Sequence, residues 1–223
     1  MNQKLFFEAI IKFILGVILI GLLLFVPAGT LNYSNGWLFM GLLFIPMFIT
    51  GFVMMIKSPD LLKKRLNVNE KENEQKQVII YSGLMFLSGF IIAGLNYRYN
   101  WMVVPNSVVI VSSVIFVIAY ILYAEVLREN AYLSRTIEVQ ENQKVIDTGL
   151  YGIVRHPMYS ATILLFLSMP LILGSIISFV IFLVYPFIIS KRIKKEEEVL
   201  EKELVGYSEY KQKVKYKVIP FVW

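Results

Sequence analysis

The sequence predicts an all-α integral membrane protein, multi-pass, with about six transmembrane helices, a C-terminal helical hairpin and an amphipathic tail helix. Three observations carry that expectation. Of 223 residues, 57% are hydrophobic and only 17% charged, too few charges to cover a soluble domain. Several apolar runs reach about 18 residues or more, the length that crosses a hydrocarbon core of roughly 30 Å. Finally, the basic residues gather in a few loops, the pattern of the positive-inside rule.

Taken in order, the first apolar run covers 5–26. No small-residue cleavage site clearly follows it, so it reads as a retained span and not a signal peptide. Further spans fall at 37–56, 78–97 and 103–127. The next stretch, 159–189, is long for one span and short for two. Pro170 and the Leu173-Gly174-Ser175 turn signal near its middle predict a tight hairpin of two short helices. After Glu196, the residues Leu200, Leu204, Tyr207 and Val214 recur with helical spacing among lysines and glutamates. That predicts one amphipathic helix lying on the cytoplasmic interface. Trp37, Trp101 and Trp223 sit near span ends, where indole suits the headgroup level. Two units result: four N-terminal transmembrane helices in 1–127, and a cofactor-binding and catalytic region in 128–223.

Charge sets the count of spans and their orientation. Segment 57–77 carries Lys57, Lys63, Lys64, Arg65, Lys71 and Lys76, and 128–155 carries Arg128, Arg135, Lys144 and Arg155. The C-terminal segment opens with Lys191, Arg192, Lys194 and Lys195, whereas 27–36 has no Lys or Arg and 97–101 only Arg98. With about six spans, every basic segment and both termini fall on the cytoplasmic side; with about five, the 191–195 cluster would be outside, against the rule. Glu70, Glu72 and Glu74 read as a solvated polar loop.

Composition also excludes chemistry. Cysteine is absent, which removes disulfides, thiolate metal sites and cysteine nucleophiles. A single histidine removes a multi-histidine metal centre, so no metal is expected. The net charge of +6 lies mostly in loops and reads as topology and contact with anionic membrane lipids, not nucleic acid.

The residues that stand out are Gly149-Leu150-Tyr151-Gly152-Ile153-Val154-Arg155-His156-Pro157-Met158-Tyr159, which hold that histidine and run straight into apolar chain. Pro157 suits the first turn of a helix, because its missing N–H would be unpaired there anyway. Arg155 and His156 then sit at a helix N-terminus, whose free N–H groups favour a carboxylate or phosphate. Tyr151 and Tyr159 flank it, and aromatic faces attract cations. The ligand implied has both an anionic group and a cationic centre. Arg192-Ile193-Lys194-Lys195-Glu196-Glu197 closes the far end of the hairpin. Singly, these residues have plainer readings: Arg155 and His156 as interfacial anchors, and Arg192 with Glu196 as a surface pair in the weaker order for such pairs.

Together, Gly149-x-Tyr151-x-x-x-Arg155-His156-Pro157-x-Tyr159, a helical hairpin and Arg192-x-x-x-Glu196-Glu197-x-x-Leu200 resemble the isoprenylcysteine carboxyl methyltransferase family of membrane enzymes, with the related phospholipid methyltransferases. The resemblance spans roughly 128–220. It implies S-adenosylmethionine bound among the C-terminal helices without a Rossmann domain, and the sequence has no Gly-x-Gly-x-x-Gly after a strand. It implies cofactor contacts from Tyr151, His156, Pro157, Met158, Tyr159 and Glu196, from Gln143, Lys144, Val145 and Ile146, and from Gln140. Arg155 joins them from its place at the helix N-terminus. The resemblance further implies that Arg192 faces the substrate with Glu197 beside it, the two forming the catalytic pair. Two departures stand: Gln143 replaces the family's usual histidine, and Gly206 and Tyr207 do not keep the family's spacing in the tail.

The reaction so implied is direct displacement at a sulfonium methyl. A carboxylate nucleophile needs no base and would be held by Arg192; an amine needs one, from Glu197 or Glu196. The acceptor is lipidic or lipid-anchored: a prenylcysteine-type carboxylate, a phospholipid amine, or a small lipophilic thiol or acid. One rival is a sterol-reductase-like NADPH enzyme with a similar Arg-His-x-x-Tyr turn, against which stand Glu196-Glu197 and the near-solitary Arg155. Another is a membrane transporter or scaffold, which predicts ionisable residues inside spans, where Glu125 is the only conspicuous candidate.

Overall fold

The computed structural model describes residues 3–66, 73–133 and 139–223. Lys71, Glu70, Glu72 and Arg135, and the side chains of Lys64 and Glu74, lie outside what is described. The described chain is helical, with one isolated bridge between Val103 and Ser175. The helices are α1 (Gln3–Ala28), α2 (Ser34–Lys57), α3 (Pro59–Leu66), α4 (Asn73–Tyr99), α5 (Asn106–Glu129), α6 (Pro157–Ile172), α7 (Ile176–Phe182), α8 (Tyr185–Glu203) and α9 (Tyr207–Lys213). A short 3₁₀ turn, Gly149–Gly152, precedes α6.

Five helical segments are long and apolar enough to cross a membrane: α1, α2, the span Lys76–Tyr99 within α4, α5, and α7 with α8 counted as Ile176–Glu203. The apolar α6 is shorter. Their outward faces bear residues such as Ile18, Ile45, Phe52, Ile110 and Ile121, each more than half exposed, which lipid accommodates and water would not. Inside, α1 lies along α4, α5 along α6, and α4 against α7 and α8. Leu24, Phe39, Phe116, Ile172 and Phe182 are fully buried in the core between them. That core joins the N-terminal helices to the hairpin, so the C-terminal site rests on a rigid bundle.

Three local expectations are corrected. The segment 57–77 is no simple loop: Pro59, well placed at a first helical turn, opens α3, whose Leu62 and Leu66 pack with Leu5 and Met55. The second arm of the hairpin breaks at Leu183 and Val184, just before Pro186, and α8 then continues to Glu203. Arg192, Glu196 and Glu197 therefore ride on the helix that carries the span. The tail is not one interfacial helix either. Gly206, at φ +86, adopts a left-handed conformation that separates α8 from α9, and Leu204, Tyr207, Tyr210 and Val214 turn inward against Val139, Val145 and Leu200.

The two ends of the bundle differ. At one, Tyr33 donates to the Leu173 carbonyl at 2.5 Å, Tyr97 to Asn32 O at 3.0 Å, and Asn96 pairs with the Met102 backbone. Arg98 is the one basic residue there among the described residues. The other end gathers α3, the 3₁₀ turn, α9, both ends of the described chain and the remaining described basic residues.

Candidate active site

The basic end contains a cleft, open at its mouth. It is built from the bottom of α5, the loop before α6, the start of α6, the last turns of α8, and α9. Local chemistry fixes each wall. Asn130 caps α5 and donates to the Tyr151 hydroxyl at 2.9 Å. Glu129 accepts from Thr148 Oγ1 at 2.9 Å and from the Leu150 amide at 3.3 Å, pinning the 3₁₀ turn that presents Tyr151. Gly149 has φ +50, and a Cβ there would run into the Glu129 carboxylate, so this turn requires glycine.

Opposite, residues 140–143 form a tight turn. Gln143 N donates to Gln140 O at 3.0 Å, Gln143 Oε1 accepts from Gln140 N at 2.9 Å, and Asn142 takes φ +59. Gln140 Nε2 ties the turn to the Tyr132 carbonyl at 2.5 Å. Gln143 is thus partly spent on shaping its own turn, while Lys144, Val145 and Ile146 continue along the wall.

His156 is the N-cap of α6 and Pro157 its first residue, as the sequence predicts. The backbone amides of Arg155 and His156 do not stay open, however: they donate to Tyr216 O at 2.9 Å and Lys217 O at 2.8 Å. Arg155 is buried, with Nε 2.8 Å from Glu197 Oε1 and Nη1 donating to Val214 O and Lys215 O at 2.7 and 2.8 Å. His156 Nε2 lies 3.2 Å from the same Glu197 oxygen, and Lys217 Nζ 3.1 Å from the other. Buried Arg155, His156 and Glu197, joined by half-buried Lys217, form one network that clamps the C-terminal tail across α6 and α8. Glu197 faces away from the open cleft, whose walls it does not line.

A second network does face the cleft. Tyr159 donates to Glu196 Oε2 at 2.5 Å and accepts from Arg192 Nε at 3.0 Å. The plainer reading of Arg192 and Glu196 as a surface pair gives way to a bridged arrangement, with the Tyr159 hydroxyl bonded to both. His156 Nδ1 is 3.9 Å from Glu196 Oε1, linking the two networks. Gln143, Lys144, Val145, Ile146, Tyr151, Arg155, His156, Met158, Tyr159, Arg192 and Glu196 all line this one cleft. Gln140 and Pro157 lie just behind the wall, as turn closure and helix start.

Sequence reasoning misses Asn130, Tyr132, Tyr207 and Tyr210, which also line it. Burial pushes the Tyr151, Tyr207 and Tyr210 hydroxyls well above the ordinary tyrosine range, so all three are neutral donors. Tyr151 and Tyr210 have partners, Tyr210 donating to the Tyr151 carbonyl at 2.8 Å. Tyr207 has none: among the described residues its hydroxyl is the one buried side-chain polar atom without a hydrogen bond. Such an unpaired buried hydroxyl costs roughly 1–3 kcal/mol; Tyr207 lines the cleft, while its hydroxyl is shielded from solvent. The available signal was an inward-facing tyrosine in the tail's apolar stripe, since a buried tyrosine needs a partner for its hydroxyl.

Comparison with known proteins bears on the same part of the chain. Residues 108–202, from the start of α5 to the end of α8, match the family model described as the isoprenylcysteine carboxyl methyltransferase (ICMT) family. No curated protein matches the chain.

Proposed function

We propose that this chain, whose residues 108–202 are a domain of the isoprenylcysteine carboxyl methyltransferase family of membrane methyltransferases, binds S-adenosylmethionine in the cleft and methylates a lipidic carboxylate, a prenylcysteine-type acid being the model acceptor. Residues 128–223 carry the chemistry, and helices 1–127 support it. The observation that carries the reading is the Arg192–Tyr159–Glu196 network facing the cleft, together with the family match. The residues present fit the cofactor. Glu196 accepts from an amino group or hydroxyl, and Asn130 offers a neutral polar contact in the cleft wall.

When bound, S-adenosylmethionine supplies an already activated methyl group on a cationic sulfur. The protein's task is then position and exclusion of water. Tyr151, Tyr159 and Tyr207 turn aromatic surface toward the cleft, a setting that attracts a cation. Arg192 holds the acceptor carboxylate by a charge-assisted contact, and Tyr159 fixes the guanidinium at 3.0 Å. A carboxylate needs no base. An amine would need one, yet Glu197 is enclosed by Arg155, His156 and Lys217, and Glu196 is bonded to Tyr159; this favours the acid over a phospholipid amine. Glu197 becomes a positioning residue that holds His156 and the tail. The NADPH reading is weaker, because Arg155 is bonded to Glu197 and two carbonyls and is not offered to a phosphate.

The charge asymmetry between the two ends supports a cytoplasmic cleft with both termini on that side. Calorimetric binding of S-adenosylhomocysteine to detergent-purified protein tests the proposal, with NADPH run alongside. Saturable binding is expected, lost in Glu196→Ala and weakened in His156→Ala. Binding of NADPH in place of S-adenosylhomocysteine would refute it.

A further inference from the structure

A second large concavity lies on the other side of α8. The groove between α4 and α8 has a volume of about 870 Å³ and shares no residue with the cleft. Its depth is apolar: Leu84 and Met85 of α4 face Ile181, Val184, Phe187 and Ile188 from α7 and α8. Its mouth, at the basic end of the bundle, carries Lys191, Lys194 and Lys195, with Glu198 the one acid lining it. Among the described residues Glu198 pairs with Lys195, at 3.7 Å. Lys191 and Lys194 are exposed and form no ion pair among the described residues.

From Gln77 to Ser88 the α4 wall spans about 16 Å at 1.5 Å per residue, enough for much of an acyl chain. The charge pattern follows from helical spacing. Residues 184, 187, 188, 191, 194, 195 and 198 recur at three- and four-residue steps and form one stripe, whereas Arg192 and Glu196 sit on the neighbouring face toward the cleft. Along that stripe the chemistry changes from apolar to cationic over a few residues.

We infer that the α4–α8 groove is a binding site for an anionic phospholipid, with the headgroup phosphate on Lys191, Lys194 and Lys195 and an acyl chain along Met85, Val184 and Ile188. Charge complementarity selects this occupant. A zwitterionic lipid would bring its own cation to three ammonium groups, and a second copy of the chain would oppose lysines to lysines. A water-soluble phosphate would leave the apolar depth unfilled. The site is independent of the proposed methyl transfer and rests on the groove alone.

The test uses the full chain purified in neutral maltoside. Native mass spectrometry and thermal unfolding are read with added dioleoylphosphatidylglycerol, dioleoylphosphatidylcholine or glycerol 1-phosphate. Expected is retention of phosphatidylglycerol roughly tenfold tighter than phosphatidylcholine, with a raised unfolding midpoint, and no effect of glycerol 1-phosphate. The triple variant Lys191→Gln, Lys194→Gln, Lys195→Gln loses this preference. A control with Lys4→Gln and Lys202→Gln, which also removes exposed lysines, keeps it. Equal retention of the two lipids would overturn the proposal by assigning the groove to acyl chains alone. A preference surviving in the triple variant would overturn it by placing the headgroup elsewhere.

Discussion

The two ends of this bundle solve the same problem, polar groups in an apolar molecule, in different ways. At the end that holds Arg98, the buried polar groups are neutral and meet backbone partners: Tyr33 with Leu173, Asn96 with Met102 and Gly174. At the cleft end the buried groups are charged and meet one another, Arg155 and His156 sharing Glu197. Beside them the Tyr207 hydroxyl is buried without a partner among the described residues. The first arrangement closes loops with nothing left over. The second costs desolvation of the paired charges and leaves one neutral hydroxyl unsatisfied among the described residues.

The contrast is broken most strongly at Glu197. Glu197→Ala leaves the Arg155 guanidinium without its carboxylate in a buried setting, and the expected loss is about 3–5 kcal/mol. Asn96→Ala, the counterpart at the other end, strands neutral backbone groups only and should cost about 1–3 kcal/mol. Thermal unfolding of both variants in one detergent gives the order. Equal midpoints would show that the charged network contributes no more than the neutral one.

Arg192→Ala separates binding from transfer. Its loss should slow methylation of a small prenylated cysteine acid roughly a hundredfold, as expected for a missing charge-assisted contact. S-adenosylhomocysteine affinity should move by no more than about threefold, since the proposed role is on the acceptor. A variant that methylates at the original rate would remove Arg192 from the acceptor site.

How far the sequence reveals these ends depends on the range of the interactions. Spans follow from apolar run length, and the hairpin from Pro170 and Leu173-Gly174-Ser175; both are local signals, and the structure places α6 and α7 on either side of that turn. The start of α6 at Pro157 is local too. The role of Arg155 is not, because its partners are Glu197 and the carbonyls of Val214 and Lys215, far along the chain. A residue at a helix N-terminus is read as ligand-facing until the tail that covers it is known. The tail misleads for a related reason. Leu204, Tyr207 and Val214 keep helical spacing across a left-handed Gly206, so periodicity continues through a break that only backbone geometry reveals. The cleft residues drawn from the family resemblance converge because that pattern already encodes tertiary proximity.

Tyr33→Phe at the closed end removes a hydrogen bond to the Leu173 carbonyl and should cost about 1 kcal/mol, read as a lowered unfolding midpoint with S-adenosylhomocysteine affinity unchanged. A changed affinity would mean that the two ends are coupled.

Tyr207→Phe is the smallest change and separates the two ends most sharply. The hydroxyl has no partner among the described residues, so removing it breaks no hydrogen bond there and relieves a buried unsatisfied group. The ring stays packed with Leu204, Tyr210 and Val214, so the tail keeps its core. The ligand-free unfolding midpoint should therefore hold or rise slightly, the opposite of Tyr33→Phe. S-adenosylhomocysteine affinity should fall by about 0.5–1.5 kcal/mol, or roughly two- to tenfold, the worth of one neutral hydrogen bond. Opposite signs for stability and affinity in one conservative substitution are what a buried hydroxyl that turns to the ligand on binding produces. If the midpoint falls while the affinity stays fixed, Tyr207 belongs with the structural tyrosines, and the cleft's polar contacts to its ligand lie with Asn130 and Glu196 instead.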